Sequence, residues 1–262
     1  MQTGTRARKG PFVTRALVII PARRASTRLP DKPLADIAGR PMIAHVVDQG
    51  LAADIGPVVV ACDDPLIRDA VTAAGGRAVL TDPDLPSGSD RVEAAAREVD
   101  PDGAFDVVLN LQGDVPLIDP AAIRAAFAPL EDPAVDIGTI ATKILTEEGR
   151  TDPGMVKTIG TPVAENRLRA LYFTRATAPH GPGALYQHIG LYAYRRAALA
   201  RFVALPPSPL EMRENLEQLR ALEAGMRIDV SLVGSRPMDV NTQADLEAVR
   251  AMLGHPATAP NS

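Results

Sequence analysis

The chain has 262 residues, is 46% hydrophobic and 23% charged, and carries a net charge of −4 with a single cysteine. That length suits one large α/β domain or two small ones, and the acidic balance excludes a general nucleic-acid binder. Lone Cys62 excludes an intramolecular disulfide and cannot by itself hold a metal, which fits a reducing cytosol, and no window nears the roughly 18 apolar residues of a membrane span.

Residues 1–15 carry Arg6, Arg8, Lys9 and Arg15 without an apolar stretch of signal-peptide length, so a disordered tail is expected. An apolar strand at 16–20 stops at Pro21 and empties into a loop bearing Arg23, Arg24, Arg28 and Lys32 with the hydroxyls of Ser26 and Thr27. Pro21, Pro30 and Pro33 stiffen that loop by fixing φ. No glycine lies between Ile20 and Gly39, so a polyphosphate grip here uses side chains and not the backbone cradle of glycine-rich sites. The alternative is a solvated basic turn.

Pro41 opens a helix with Ile43, Val46 and Val47 on one face. A strand at 58–61 follows, ending on Cys62, which reads as a buried thiol and not a nucleophile. Asp64 and Pro65 cap the next helix, which Gly75 closes. After a strand at 78–80, Ser87-Gly88-Ser89-Asp90-Arg91 feeds an amphipathic helix; its N–H groups and hydroxyls either read a base or ribose or only cap the helix. A strand at 107–111 then delivers Gln112, Gly113 and Asp114 to the same sheet edge as the basic loop. An aspartate facing phosphate-holding cations suits Mg²⁺, with phosphate and water oxygens completing the octahedron. Asp114 as a turn cap is the alternative, although Asp119 before Pro120 is the better cap.

The second half is less regular. Strands are expected at 137–144 and 186–194, the latter placing Tyr186, His188, Gly190, Tyr192 and Tyr194 on one side. A helix is expected at 210–224, with Met212, Leu216, Leu219 and Leu222 as its apolar stripe and Gly225 as its stop. A strand at 227–233 and a last helix capped by Thr242 complete the domain, and 255–262 is expected to fray. The predicted fold is α/β: one domain over 16–254 built on a mostly parallel, doubly wound, Rossmann-like sheet in its first part (about 16–135), with an appended mixed α+β region (about 136–254).

Seven segments in order, IPARRASTRLPDKPL, SGSDR, NLQGDVPLI, YFTRATAP, QHIGLYAYR, PSPLE and ENLEQLRALE, cover nearly the whole chain. Together they resemble the 3-deoxy-manno-octulosonate (Kdo) cytidylyltransferases, of nucleotide-diphospho-sugar transferase type. The resemblance implies that CTP and a Kdo-like sugar acid give the CMP-sugar and pyrophosphate, with Mg²⁺ as cofactor, in a cytoplasmic homodimer serving lipopolysaccharide assembly, with no nucleic-acid or membrane partner. It assigns catalysis to Arg23, Lys32 and Asp114. Nucleotide contacts fall to Ala22, Arg23, Ser26, Arg28, Lys32, Ser87, Gly88 and Gln112, and sugar contacts to Gln112, Arg175, His188, Glu217 and Gln218. His188 as a satisfied strand histidine, and Glu217 as an ordinary ion-pair partner of Arg213 or Arg220, stay open on spacing alone. The resemblance leaves open a relative acting on 8-amino-Kdo or a sialic acid, or a non-catalytic CTP binder.

Two positions depart from the family pattern. Val115 stands where a glutamate is usual beside the metal aspartate, and Asn241 stands where the family has a second metal-binding aspartate. If residues 239–241 are extended, Asp239 shares a face with Asn241 and supplies the missing carboxylate.

Overall fold

The computed structural model of the protein describes residues 15–25, 28–234 and 236–254. Residues 1–14 and 255–262, and Ser26 and Thr27 of the basic loop, lie outside the described residues. In chain order the elements are β1 (Ala16–Ala22), β2 (Asp36–Ile37), β3 (Arg40–Pro41), α1 (Met42–Ala52), β4 (Val58–Cys62), α2 (Pro65–Ala73), β5 (Ala78–Leu80), α3 (Gly88–Val99), β6 (Val107–Asn110) and α4 (Pro120–Phe127). They continue with β7 (Ile137–Lys143), α5 (Glu147–Thr151), β8 (Lys157–Ala164), β9 (Arg167–Thr174), β10 (Tyr186–Arg195), α6 (Arg196–Ala204), α7 (Pro209–Glu214), α8 (Gln218–Glu223), β11 (Ile228–Val233) and α9 (Gln243–Gly254).

The run Ala16 to Ile20 is buried at every position, which only a strand covered on both faces can tolerate. Val18 and Ile20 face the core formed with α1, α2 and α4, whereas Leu17 and Ile19 face the core formed with α3, α6 and α8. Each such side chain contributes roughly 1.5–3 kcal/mol by leaving water. Proline at the start of α2 and of α4 follows an aspartate whose carboxylate caps the helix, Asp64 on Leu66 N and Asp119 on Ala121 N.

Among the described residues nine strands make one sheet in the order β5-β4-β1-β6-β10-β7-β11-β9-β8. Strands β5, β4, β1 and β6 are parallel. Beyond β6 the pattern changes: β10 is antiparallel to β6 and β7, β11 is parallel to β7, and β9 is antiparallel to β11 and β8. The expected mostly parallel sheet therefore holds for the first half alone. The second half continues the same sheet in mixed orientation and is not an appendage, because β10 buries apolar residues on both faces and takes a central place.

Two local features differ from the sequence reading. Residues 157–174 form the β8–β9 hairpin, turned by Asn166 at φ 53°. The single helix expected at 210–224 is two, because Asn215 adopts a left-handed conformation (φ 54°) and stops α7. Met212 consequently points to solvent, while Leu216 and Leu219 stay buried. Among the described residues no helix is long and apolar enough to cross a membrane.

The chain runs from β1 outward through β4 to β5, then returns to place β6 on the other side of β1. The carboxyl ends of β1 and β6 thus flank a topological switch point, where open α/β sheets bind ligands. A smaller apolar cluster of Leu29, Ile37, Met42, Val240, Leu246 and Val249 fastens the basic loop to α9 beside that point.

Candidate active site

A cavity of about 380 Å³ opens at the switch point. Ala22 and Arg23 from the end of β1 line it, with Arg28 and Lys32 from the basic loop. Arg23 has no ion-pair partner among the described residues and is exposed toward the opening. Arg24, by contrast, is a loop clamp: its guanidinium pairs with Asp31 at 2.6 Å and Asp64 at 3.1 Å. The clamp helps hold Asp31 left-handed (φ 52°) at the start of the 3₁₀ turn Lys32–Leu34, which aims Lys32 inward.

Across the cavity, β6 ends and the strap of Gln112, Gly113 and Asp114 follows. The strap lies so close to β1 that a Cβ on Gly113 would stand 2.8 Å from the Pro21 carbonyl oxygen. Lys32 Nζ donates to Asp114 Oδ2 at 2.7 Å and to Asn241 Oδ1 at 3.3 Å, and Arg28 also reaches Asn241 Oδ1 at 3.4 Å. Val240 N donates to the Asp114 carbonyl at 2.8 Å, which ties the segment before α9 to the strap. Ser87 and Gly88, at the amino end of α3, form the opposite wall. Backbone N–H groups and the cationic side chains of Arg23, Arg28 and Lys32 around one cavity favour a polyphosphate anion.

Sequence reasoning missed Arg91. It lines the same cavity from the first turn of α3, is 3% exposed, and is held by Thr81 Oγ1 at 2.5 Å and the Asp82 carbonyl at 3.1 Å. The available signal was an arginine beside Val92, Ala95 and Ala96 on the inward side of an amphipathic helix.

Asp114, Asp239 and Asn241 border a second cavity of about 210 Å³. Asp239 is half-buried, and burial first, then the charge of Asp114, pushes its carboxyl above the ordinary aspartate range. These are hard oxygen donors, and the Asp114 and Asn241 oxygens already converge on one cationic centre, the Lys32 ammonium. Among the described residues no group of three His, Cys, Asp or Glu side chains could hold a metal. The set therefore fits Mg²⁺ only with an amide oxygen and substrate oxygens as further ligands. Val115 is 5% exposed and packs in the core while also lining this cavity, so an apolar residue is at home there.

The sugar-side residues separate into two groups. Glu217 lies against the α3 start, accepting from Ser87 Oγ at 2.9 Å and Ser89 Oγ at 3.0 Å; burial lifts its carboxyl above the usual range. Arg220 is 2.6 Å from Glu211 and 3.9 Å from Glu217, so the expected pair with Glu217 is present but longer than the one with Glu211. Gln218 is buried, with Nε2 3.5 Å from His188 Nδ1. His188 lies in a series of rings, 4.8 Å from Phe173 and 5.4 Å from Tyr192 between centroids. Burial lowers its pKa to about 3, so it is neutral. Arg175 stands apart. Its side chain donates to the carbonyls of Glu214 (2.8 Å), Pro153 (3.1 Å) and Asn215 (3.3 Å), and this geometry uses its guanidinium to join β9 to the α7–α8 turn. Three of its five N–H donors are taken by those carbonyls, which leaves one on each terminal nitrogen.

A family model described as "Cytidylyltransferase" matches residues 17–228. A 3-deoxy-manno-octulosonate cytidylyltransferase of Rhodopseudomonas palustris (strain BisB18) is 64% identical over 242 residues, covering 92% of this chain and 99% of its own. One from Rhodospirillum centenum is 65% identical over 239 residues, covering 90% and 93%. A solved CMP:2-keto-3-deoxy-manno-octonic acid synthetase, complexed with CTP, superposes with a TM-score of 0.84 at 39% identity, covering 92% of this chain and 99% of that one. Matches of this depth along nearly the full length, over a cation-ringed switch-point cavity, mean that the chain belongs to the 3-deoxy-manno-octulosonate cytidylyltransferase family.

Proposed function

We propose that this protein activates Kdo with CTP, giving CMP-Kdo and pyrophosphate. The observation that carries the reading is the cavity at the β1/β6 switch point, where Arg23, Arg28, Lys32 and Arg91 face Asp114. The 0.84 superposition on a relative solved with CTP supports the choice of nucleotide. In the reaction the sugar's anomeric hydroxyl oxygen bonds to the α-phosphorus and the P–O bond to the β-phosphate breaks. Pyrophosphate leaves with the electron pair, and the hydroxyl proton goes to solvent.

Such a transfer is mainly positioning and charge stabilisation. Arg23 and Lys32 neutralise the α-phosphate and the leaving group, and Arg28 steadies the outer phosphates; Ser26, assigned to the nucleotide by the resemblance, lies outside the described residues. Ala22, Ser87, Gly88 and Gln112 line the nucleoside side, and Gln112 also faces the sugar. His188, Glu217 and Gln218 offer polar groups to the sugar hydroxyls. In this reading Arg175 offers the sugar carboxylate the N–H left on each terminal nitrogen while its carbonyl bonds stay in place. Asp114, Asn241 and Asp239 would hold Mg²⁺, which when bound supplies positive charge to the phosphate oxygens. Homodimer formation through the second-half elements, a cytoplasmic site of action and supply of lipopolysaccharide assembly belong to the same reading; size-exclusion chromatography tests the dimer.

The deciding assay is pyrophosphate release across CTP and other nucleotides, with Kdo, 8-amino-Kdo and a sialic acid. The expected result is fastest release with CTP and Kdo. Binding of CTP without release from any sugar acid at any Mg²⁺ concentration overturns the reading in favour of an inert nucleotide binder.

A further inference from the structure

Strand β10 carries an irregularity that organises the sugar side. Ile189 pairs with Ile140 but Tyr192 pairs with Thr139, so three steps on β10 oppose one step on β7. Two residues, Gly190 and Leu191, are extra. An even insertion leaves the alternation of faces intact, so His188 and Tyr192 remain on one side. In a regular strand residues four apart are separated by about 13 Å, yet these two rings lie 5.4 Å apart. The fold of the bulge brings them together. On its other side Gly190 and Leu191 line the cavity shared by Asp114, Asp239 and Asn241.

A bulge breaks ladder hydrogen bonds, and the carbonyls it frees need partners. One side chain supplies them. Thr139 is fully buried on β7, and its Oγ1 lies 2.8 Å from the Leu191 carbonyl, 3.3 Å from the Ile189 carbonyl and 3.0 Å from His188 Nε2. A hydroxyl has one proton to give. Given to the carbonyls, it leaves Oγ1 as an acceptor, and His188 Nε2 must then carry the ring proton. The far side of the ring agrees, because the Gln218 amide Nε2 only donates and it faces Nδ1. Resting on the proposed reaction, we infer that Thr139 is a positioning residue that pins the Gly190–Leu191 bulge and fixes His188 as the Nε2–H tautomer, so that Nδ1 accepts from the Gln218 amide and holds Gln218 in one orientation for a hydroxyl-bearing sugar acid.

The test has an arm that needs no turnover. The chain has four histidines, so the ring nitrogens of the ¹⁵N-histidine-labelled wild type can be assigned by NMR with His188→Gln as the reference. The expected spectrum shows His188 Nε2 protonated and Nδ1 bare; the opposite tautomer in the wild type overturns the inference without any variant. Thr139→Val keeps the shape and removes the hydroxyl, and Thr139→Ser restores it. Thr139→Val is expected to mix the tautomers and to raise KM for the sugar acid about tenfold with KM for CTP unchanged, and Thr139→Ser to return both toward wild type. An equal rise in both KM values, or no rescue by serine, overturns the positioning role. If wild type releases no pyrophosphate with any sugar acid while the tautomer is as expected, the proposed reaction fails and the fixed ring survives.

Discussion

The tight passage of Gly113 beside Pro21 makes a sharp prediction. In Gly113→Ala the new methyl would stand 2.8 Å from the Pro21 carbonyl oxygen, 3.4 Å from Ile43 Cδ1 and 3.5 Å from Ile20 Cγ2. Comfortable carbon–oxygen contacts begin near about 3.3 Å, so a separation of about 0.5 Å must be found. Strand β1 cannot supply it, since Pro21 and Ala22 are registered against Ala61 and Cys62 of β4. The strap must move, carrying Asp114 from its 2.7 Å contact with Lys32. Misplacements near 1 Å lower rates by about a hundredfold; half that shift predicts a loss of about tenfold in kcat/KM, with overpacking lowering stability by about 1–3 kcal/mol. Initial rates of pyrophosphate release and a thermal melt measure the two effects. A folded variant within threefold of wild-type kcat/KM would refute the claim that this contact sets the strap.

Lys32→Gln removes the charge that meets Asp114 and should lower kcat by about 10²–10³-fold, as loss of a preorganised charge donor does; a change under tenfold argues against its catalytic role. Asn241→Asp adds a carboxylate beside Asp114 and should lower the Mg²⁺ concentration for half-maximal rate, whereas Asp239→Ala should raise it; a titration unmoved by both removes these residues from the metal site. Arg175→Met breaks three side-chain bonds to carbonyls and should lower stability by about 2 kcal/mol, while a role confined to substrate binding leaves the melting temperature unchanged. Asp245 is held below the ordinary aspartate range, chiefly by the Asn241 N–H and then by Thr242. A depressed carboxyl stabilises the fold above its unfolded pKa and loses that contribution as pH falls through its folded value. The melting-temperature gap between wild type and Asp245→Ala should therefore be full at pH 7 and close in acid; a gap independent of pH refutes the linkage.

The first half was legible because strand ends, caps and charges there are local signals. Residues 16–20 are apolar at every position, Asp-Pro pairs open two helices, and the cations follow a strand within a few residues. The cluster of Lys32 with Asp114 was foreseeable from both segments lying at carboxyl ends of parallel strands. The β8–β9 hairpin was hidden because Gly160 and Pro162 interrupt its first strand, and its turn rests on a left-handed asparagine in place of an Asn-Gly pair. Asn215 broke a helix whose apolar spacing continued through it. Contacts such as Glu217 with Ser87, or Arg175 with the Glu214 carbonyl, depend on where distant segments meet, and no local pattern encodes that.

The central place of β10 bears on how the chain is made. Emerging from the ribosome, residues 16–110 can assemble the parallel half as soon as they are free, since all four of its strands lie within that stretch. Strand β7 cannot join them directly, because the slot beside β6 belongs to residues 186–195. Until that stretch is synthesised, the nascent protein holds β6 and β7 with bare edges, the state in which chains recruit one another. Insertion of a single strand closes both edges at once, so the interval between translation of residue 110 and residue 195 is the window in which a chaperone has most to protect.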